Sequence, residues 1–165
     1  MTRSQQRLLW SIVVLLLLTS ALTGLVDLFT FRLRWNGHLS GNGNPGLFFV
    51  FLLIPLYAVL LFLTGLASRR FFREKMKGGS FSIGSFLFLI VTTAILSLLA
   101  YGYYHLIFNG LRGGPDQPDS AIFAWGRWNQ YTNTAFINMI TYSLGLVCSM
   151  ILGYASAFIT RRGRE

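Results

Sequence analysis

Five side chains in this 165-residue chain have the types and positions to build a polar site: Asp27, Tyr101, His105, Asn138 and Tyr142. Asp27 is the one acid inside an apolar segment. A carboxylate in hydrocarbon is costly enough to count as a functional hypothesis by default. Thr93, Ser97, Tyr101 and His105 recur every four residues and so share one helix face, with Tyr104 beside them. Asn138 and Tyr142 are again four apart. If these faces meet at one depth, they form a pocket that opens outward. A histidine beside a carboxylate titrates near neutral pH, so such a pocket suits a small polar ligand or a proton relay. Asp27 with His105 is also the one pair that offers acid–base chemistry on a membrane-embedded lipid. Two plainer assignments compete with the pocket. Asp27 can pair with Arg32 or Arg34 of its own loop, and Tyr101, Tyr103, Tyr104 and His105 have the composition of an aromatic belt at headgroup level.

No other constellation points to catalysis, a metal or a cofactor. His38 and His105 are the two histidines, and axial haem ligation needs a shielded cavity that the Gly/Asn-rich surroundings of His38 do not promise. The chain has no HExxH, CxxC or paired carboxylates, no Walker loop and no ordered Ser/His/Asp set. Catalytic residues, metal ligands and cofactor are all expected to be none. Cys148 is a lone thiol inside an apolar run. It cannot form an internal disulfide, and burial in hydrocarbon disfavours its thiolate.

The elements that must position these residues follow from hydropathy. Apolar residues make up 53% of the chain and charged residues 12%, well under the quarter typical of soluble proteins. Four long apolar segments result, at about 8–28, 46–68, 81–108 and 132–160. At about 1.5 Å per residue, each is long enough to cross a hydrocarbon layer of about 30 Å. The last two run longer and are expected to tilt or project. Pro55 falls inside the second, where a lost backbone donor favours a kink. The expected fold is an all-α integral membrane protein: a single domain over 1–165, a four-transmembrane-helix bundle with a short outer interfacial helix. That short helix is expected after Asp119-Ser120, over the stretch holding Phe123, Trp125, Trp128 and Tyr131. Asn36-Gly37, Gly41–Pro45 and Gly113–Pro118 mark the turns of the two outer loops.

Cations set the orientation. Arg3 and Arg7, then Arg69, Arg70, Arg73, Lys75 and Lys77, then Arg161, Arg162 and Arg164 fall on one side of the four segments. Arg32, Arg34, Arg112 and Arg127 fall on the other. Ten against four is a positive-inside bias, placing both termini in the cytoplasm of a multi-pass cell-membrane protein. The net charge of +9 therefore reads as topology control rather than a nucleic-acid surface. Arg69, Arg70, Arg73, Lys75 and Lys77, with Phe71 and Phe72 among them, are expected to contact anionic lipid headgroups. The N-terminal arginines, Leu8–Leu18 and Thr19-Ser20-Ala21 also have the layout of a secretory signal, but the apolar run continues to Val26, which favours an uncleaved helix.

One packing motif stands out. Thr141, Gly145, Ser149, Gly153 and Ala157 form a ridge of small residues every four positions. Such a ridge lets another helix backbone approach closely, inside the bundle or from a partner. Arg-Trp-Asn occurs at 34–36 and 127–129, but a repeated triplet is noise-level evidence of duplication. The expected role is an accessory or structural membrane protein acting through helix–helix contacts with a partner or itself. The alternatives are a transporter or ligand binder using Asp27, His105 and Asn138, and an enzyme on a lipid substrate.

Overall fold

A computed structural model describes residues 2–33, 41, 43–77 and 83–162. Among them are five helices and no strand: α1 (Arg3–Leu28), α2 (Gly46–Lys77), α3 (Ile83–Gly110), α4 (Asn133–Phe136) and α5 (Met139–Arg162). Arg3–Leu28, Gly46–Met76, Ile83–Gly110 and Asn133–Thr160 are long and apolar enough to cross a membrane. Asn36-Gly37, the Arg34-Trp35-Asn36 triplet, His38, Phe81 and Arg164 lie outside the described residues.

Two boundaries differ from the sequence expectation by several residues, each for a local reason. Helix α1 starts at Arg3 rather than Leu8 because Thr2 closes a capping box with Gln5. Helix α2 does not stop at Ser68 but runs through the basic stretch to Lys77. Arg, Phe, Glu, Lys and Met all tolerate helix, and Phe72 and Met76 are buried against Leu89, Tyr154 and Ala157. The five cations thus ride on the last turns of a helix instead of a loop. Pro55 lies inside α2 without ending it.

The expected interfacial helix over 119–131 is absent. That stretch is a chain of turns, and the regular structure nearby is the four-residue α4. Ala124 adopts a left-handed φ of 61°, which helix does not allow. Asn129 and Thr132 divert backbone groups into side-chain bonds: Asn129 N–H to Thr132 Oγ1 at 2.9 Å, and Tyr131 N–H to Asn129 Oδ1 at 2.9 Å. The turns fold inward, burying Ile122 and Tyr131 against Phe108, Leu111 and Ala135.

The loop begins with a defined helix stop. Gly113 N–H bonds Phe108 O at 2.8 Å and Arg112 N–H bonds Asn109 O at 3.0 Å. With Arg112 at φ 61° and Gly113 at φ 118°, this is the Schellman arrangement that satisfies the last carbonyls of α3.

Helices α2 and α5 form the central pair, α1 lies against α2, and α3 lies against α5. Leu22 and Val26 of α1 pack on Val50 and Leu53 of α2. The two longer connections meet at one end, where Phe31 N–H bonds Gln130 O at 2.7 Å and the Asn44 and Asn133 amides bond each other at 2.7 and 3.0 Å. The opposite end gathers the basic turns of α2 with the end of α5, through Arg69 to Thr160 Oγ1 at 3.3 Å. The first is the loop end of the bundle and the second its basic end.

Candidate functional site

The densest polar contacts inside the bundle lie where α1, α2 and α5 converge toward the loop end. Thr19 on α1 donates to its own Leu15 O at 2.6 Å. Its oxygen is therefore left to accept from Tyr142 OH, 2.9 Å away. Tyr142 OH also reaches Leu16 O at 3.3 Å, and Tyr57 OH of α2 donates to Tyr142 O at 2.5 Å. The Tyr57 and Tyr142 rings stack with centroids 4.9 Å apart. One tyrosine pair therefore fastens three helices. Next to it is a cavity of about 200 Å³ whose walls include Thr23, Tyr57, Asn138, Thr141 and Tyr142 among apolar Leu53, Ile54, Phe136 and Ile137.

Asn138 sits at the break between α4 and α5 and restarts the helix. Its Oδ1 accepts from Ile140 N–H at 2.8 Å and Thr141 N–H at 3.0 Å, while Thr141 Oγ1 accepts from Asn138 N–H at 3.1 Å. That reciprocal pattern is an N-terminal capping box. Nδ2 donates to Thr134 O at 2.8 Å, so three of the four positions of the amide are in use. Helix start and cavity wall are the same residue.

Of the five residues singled out for a pocket, Asn138 and Tyr142 line this cavity. Asp27, Tyr101 and His105 are not among its walls. Asp27 turns to its own loop, 3.6 Å from Arg32, with its side chain 47% exposed. Tyr101 and His105 stay together, their rings edge-to-face at 4.3 Å, but on an exposed face of α3. Tyr104, beside them, turns inward to Phe108 and Phe136 at 4.5 and 5.8 Å.

The small-residue ridge faces α2 of the same chain. A Cβ on Gly145 would strike Tyr57 OH, and one on Gly153 would lie 2.4 Å from Gly65 O. Ser149 Oγ donates to Leu61 O, Ser68 Oγ donates to Met150 O at 2.8 Å, and Ala157 is buried with Phe72 and Met76. The ridge allows the two backbones to close, and serine hydroxyls bond across the seam.

Thr19, Thr23 and Tyr57 were not singled out from sequence. Thr19 and Thr23 are four apart on the face that also buries Leu22 and Val26, so a stripe of polar residues within an apolar segment was the available signal. Asn133 is fully buried and holds the Asn44 amide and the Trp128 Nε1–H, the latter at 2.8 Å. Nothing in the spacing of residues 44, 128 and 133 announces that contact.

Chemically, the cavity offers neutral hydroxyls and an amide. Among the described residues no three His, Cys, Asp or Glu side chains gather to hold a metal. Elsewhere, an apolar groove of about 430 Å³ with Leu9, Phe71 and Met150 in its walls also contains Thr64. Its hydroxyl is buried without a partner.

The chain matches no family model, and no curated protein or solved structure is significantly similar to it.

Proposed function

We propose that the chain is a multi-pass membrane protein of accessory type, crossing the lipid layer four times and acting by helix contact with a larger partner or a second copy. Both termini and the basic end lie in the cytoplasm in this reading, because ten cations fall in the sequence segments on that side of the four spans and four in the segments on the other. Arg69, Arg70, Arg73, Lys75 and Lys77 then meet anionic headgroups.

The observation that carries the partner role is the outer face of α3. In its most apolar window, 6% of α3 is buried, against 22% for each of the other three spans. Its exposed surface is not uniformly greasy. Ser97, Tyr101 and His105 are all exposed, and Gly102 has open space where a side chain would stand. Polar and small residues on an outward face are what one membrane helix uses to hold another. Photocrosslinking from position 98 in intact membranes tests this: a discrete protein adduct is expected, lost in Gly102→Leu. A protein that gives no adduct and is monomeric in mild detergent would count against the proposal.

A second reading is favoured by the cavity at the loop end. Its hydroxyls and the Asn138 amide suit a small neutral polar ligand, so a ligand-binding or transport role is retained with Thr23, Tyr57, Asn138 and Tyr142 as the contacts. Asp27 and His105 enter this role only if the bundle rearranges.

A further inference from the structure

The seam between α2 and α5 is closed along the ridge and open beside it. On the open side runs a groove of about 450 Å³. Gly65 and Gly153 are in its floor, and Phe62, Leu66, Cys148 and Leu152 are in its sides, with Arg69 at the basic end. Phe62 and Leu152 stand 65% and 70% exposed, as rails flanking a trough.

We propose that this groove binds one acyl chain of an anionic phospholipid, with its headgroup phosphate held by Arg69. The inference rests on the membrane reading above and goes beyond it by assigning a site. Three observations support it. First, depth: Leu61 to Arg69 is a run of nine residues, about 12 Å of helix rise between its ends, close to a single leaflet at about half of a hydrocarbon core of about 30 Å. A chain lying in the groove therefore brings its headgroup to Arg69. Second, charge: Arg69 is half-buried, and Thr160 takes one bond from a guanidinium with five N–H donors. Among the described residues the ion pairs are Asp27–Arg32 and Asp116–Arg127, so neither Arg69 nor the exposed Arg70 and Arg73 has a carboxylate. A phosphate satisfies the fork geometry of arginine in two bonds. Third, the choice of occupant: an apolar helix laid in the same trough would cover Arg69 without a counter-charge, whereas a phospholipid brings its own. The groove of similar volume between Leu9, Phe71 and Met150 has no cation in its walls. It serves as an internal control.

The test uses the full chain in lipid nanodiscs containing phosphatidylglycerol or phosphatidylcholine with the same photoactivatable acyl chain. Adducts are mapped by peptide mass spectrometry. On Leu66, Cys148 and Leu152, labelling by phosphatidylglycerol is expected to exceed that by phosphatidylcholine about fivefold, the equivalent of about 1 kcal/mol for one interfacial cation. Arg69→Gln should remove that preference and Arg69→Lys should largely keep it. Adducts in the control groove should show a smaller headgroup preference, and one that Arg69→Gln leaves unchanged. Equal labelling by both lipids, a preference that survives Arg69→Gln, or crosslinks from the groove to a second copy would each overturn the proposal. Failure of the membrane reading looks different: exposed Leu17 of α1, away from the α3 face, would then escape labelling by either lipid.

Discussion

Replacing Gly153 with alanine adds one methyl group at the tightest point of the α2–α5 seam. That carbon would lie 2.4 Å from Gly65 O, 2.8 Å from Ser68 Cβ and 2.9 Å from Arg69 N. Two of the three are backbone atoms of the facing helix and cannot swing aside. Taking about 3.3 Å as a close carbon–oxygen contact, the helices must separate locally by about 0.9 Å. Such a shift stretches Ser68 Oγ–Met150 O from 2.8 Å beyond bonding range and loosens Ser149 Oγ–Leu61 O. Overpacking costs about 1–3 kcal/mol. Two interhelical bonds at about 0.6 kcal/mol each add about 1 kcal/mol. The better helix propensity of alanine returns about 1 kcal/mol. The net loss is about 1–3 kcal/mol, read as the shift in unfolding free energy on titrating a mixed micelle with dodecyl sulfate. Gly24→Ala and Gly102→Ala are the controls, because a Cβ at either position meets nothing within 4 Å, and both should be neutral or slightly stabilising. If Gly153→Ala proved as stable as Gly102→Ala, close backbone packing would not be what joins α2 to α5.

Four further outcomes are expected. Thr19→Val and Tyr142→Phe, combined in a double-mutant cycle, should show a coupling of about 0.6 kcal/mol and not above about 1.7 kcal/mol, measured by the same titration. Asn138→Ala should cost about 1 kcal/mol as a lost helix cap, and Asn138→Asp, which keeps the accepting oxygen, should recover part of it. Asn133→Ala strands the Asn44 amide and the Trp128 indole N–H at a part-buried site, with Trp128 itself 48% exposed, so a loss of about 1 kcal/mol is expected, together with faster proteolysis of residues 111–132. Asp27→Asn should change stability by less than about 0.5 kcal/mol, because the partners are 47% and 82% exposed at 3.6 Å; a larger loss would show that Asp27 makes a contact other than the Arg32 pair.

How legible these features were depends on the range of the interaction that creates them. The four apolar spans could be read directly, because bilayer-length hydrophobicity is a local property of each segment. The ridge on α5 was visible as a four-residue period, although which helix it meets is a tertiary fact. The end of α2 is less legible, because a run of charges marks a loop as readily as the solvated end of a helix. Phe72 and Met76 gave an amphipathic pattern that carries the helix to Lys77. The aromatic stretch 123–131 resembled an interfacial helix, yet Ser120, Asn129 and Thr132 bind nearby backbone and fold it into turns. Grouping Asp27, Tyr101, His105, Asn138 and Tyr142 assumed that equal depth brings helices into contact. In the bundle, Tyr101 and His105 occupy the exposed face of α3, while α1 reaches α5 through Thr19 and Tyr142. Depth can be read from one sequence; the order of helices around the bundle cannot.

Sidedness is the most direct test of the account, because the fourfold crossing and the lipid groove both depend on it. In a Cys148→Ala background, Asp119→Cys and Glu74→Cys are treated in intact cells with a membrane-impermeant maleimide. Labelling at position 119, with labelling at position 74 only after permeabilisation, is the predicted result. Labelling of position 74 from outside an intact cell would contradict it.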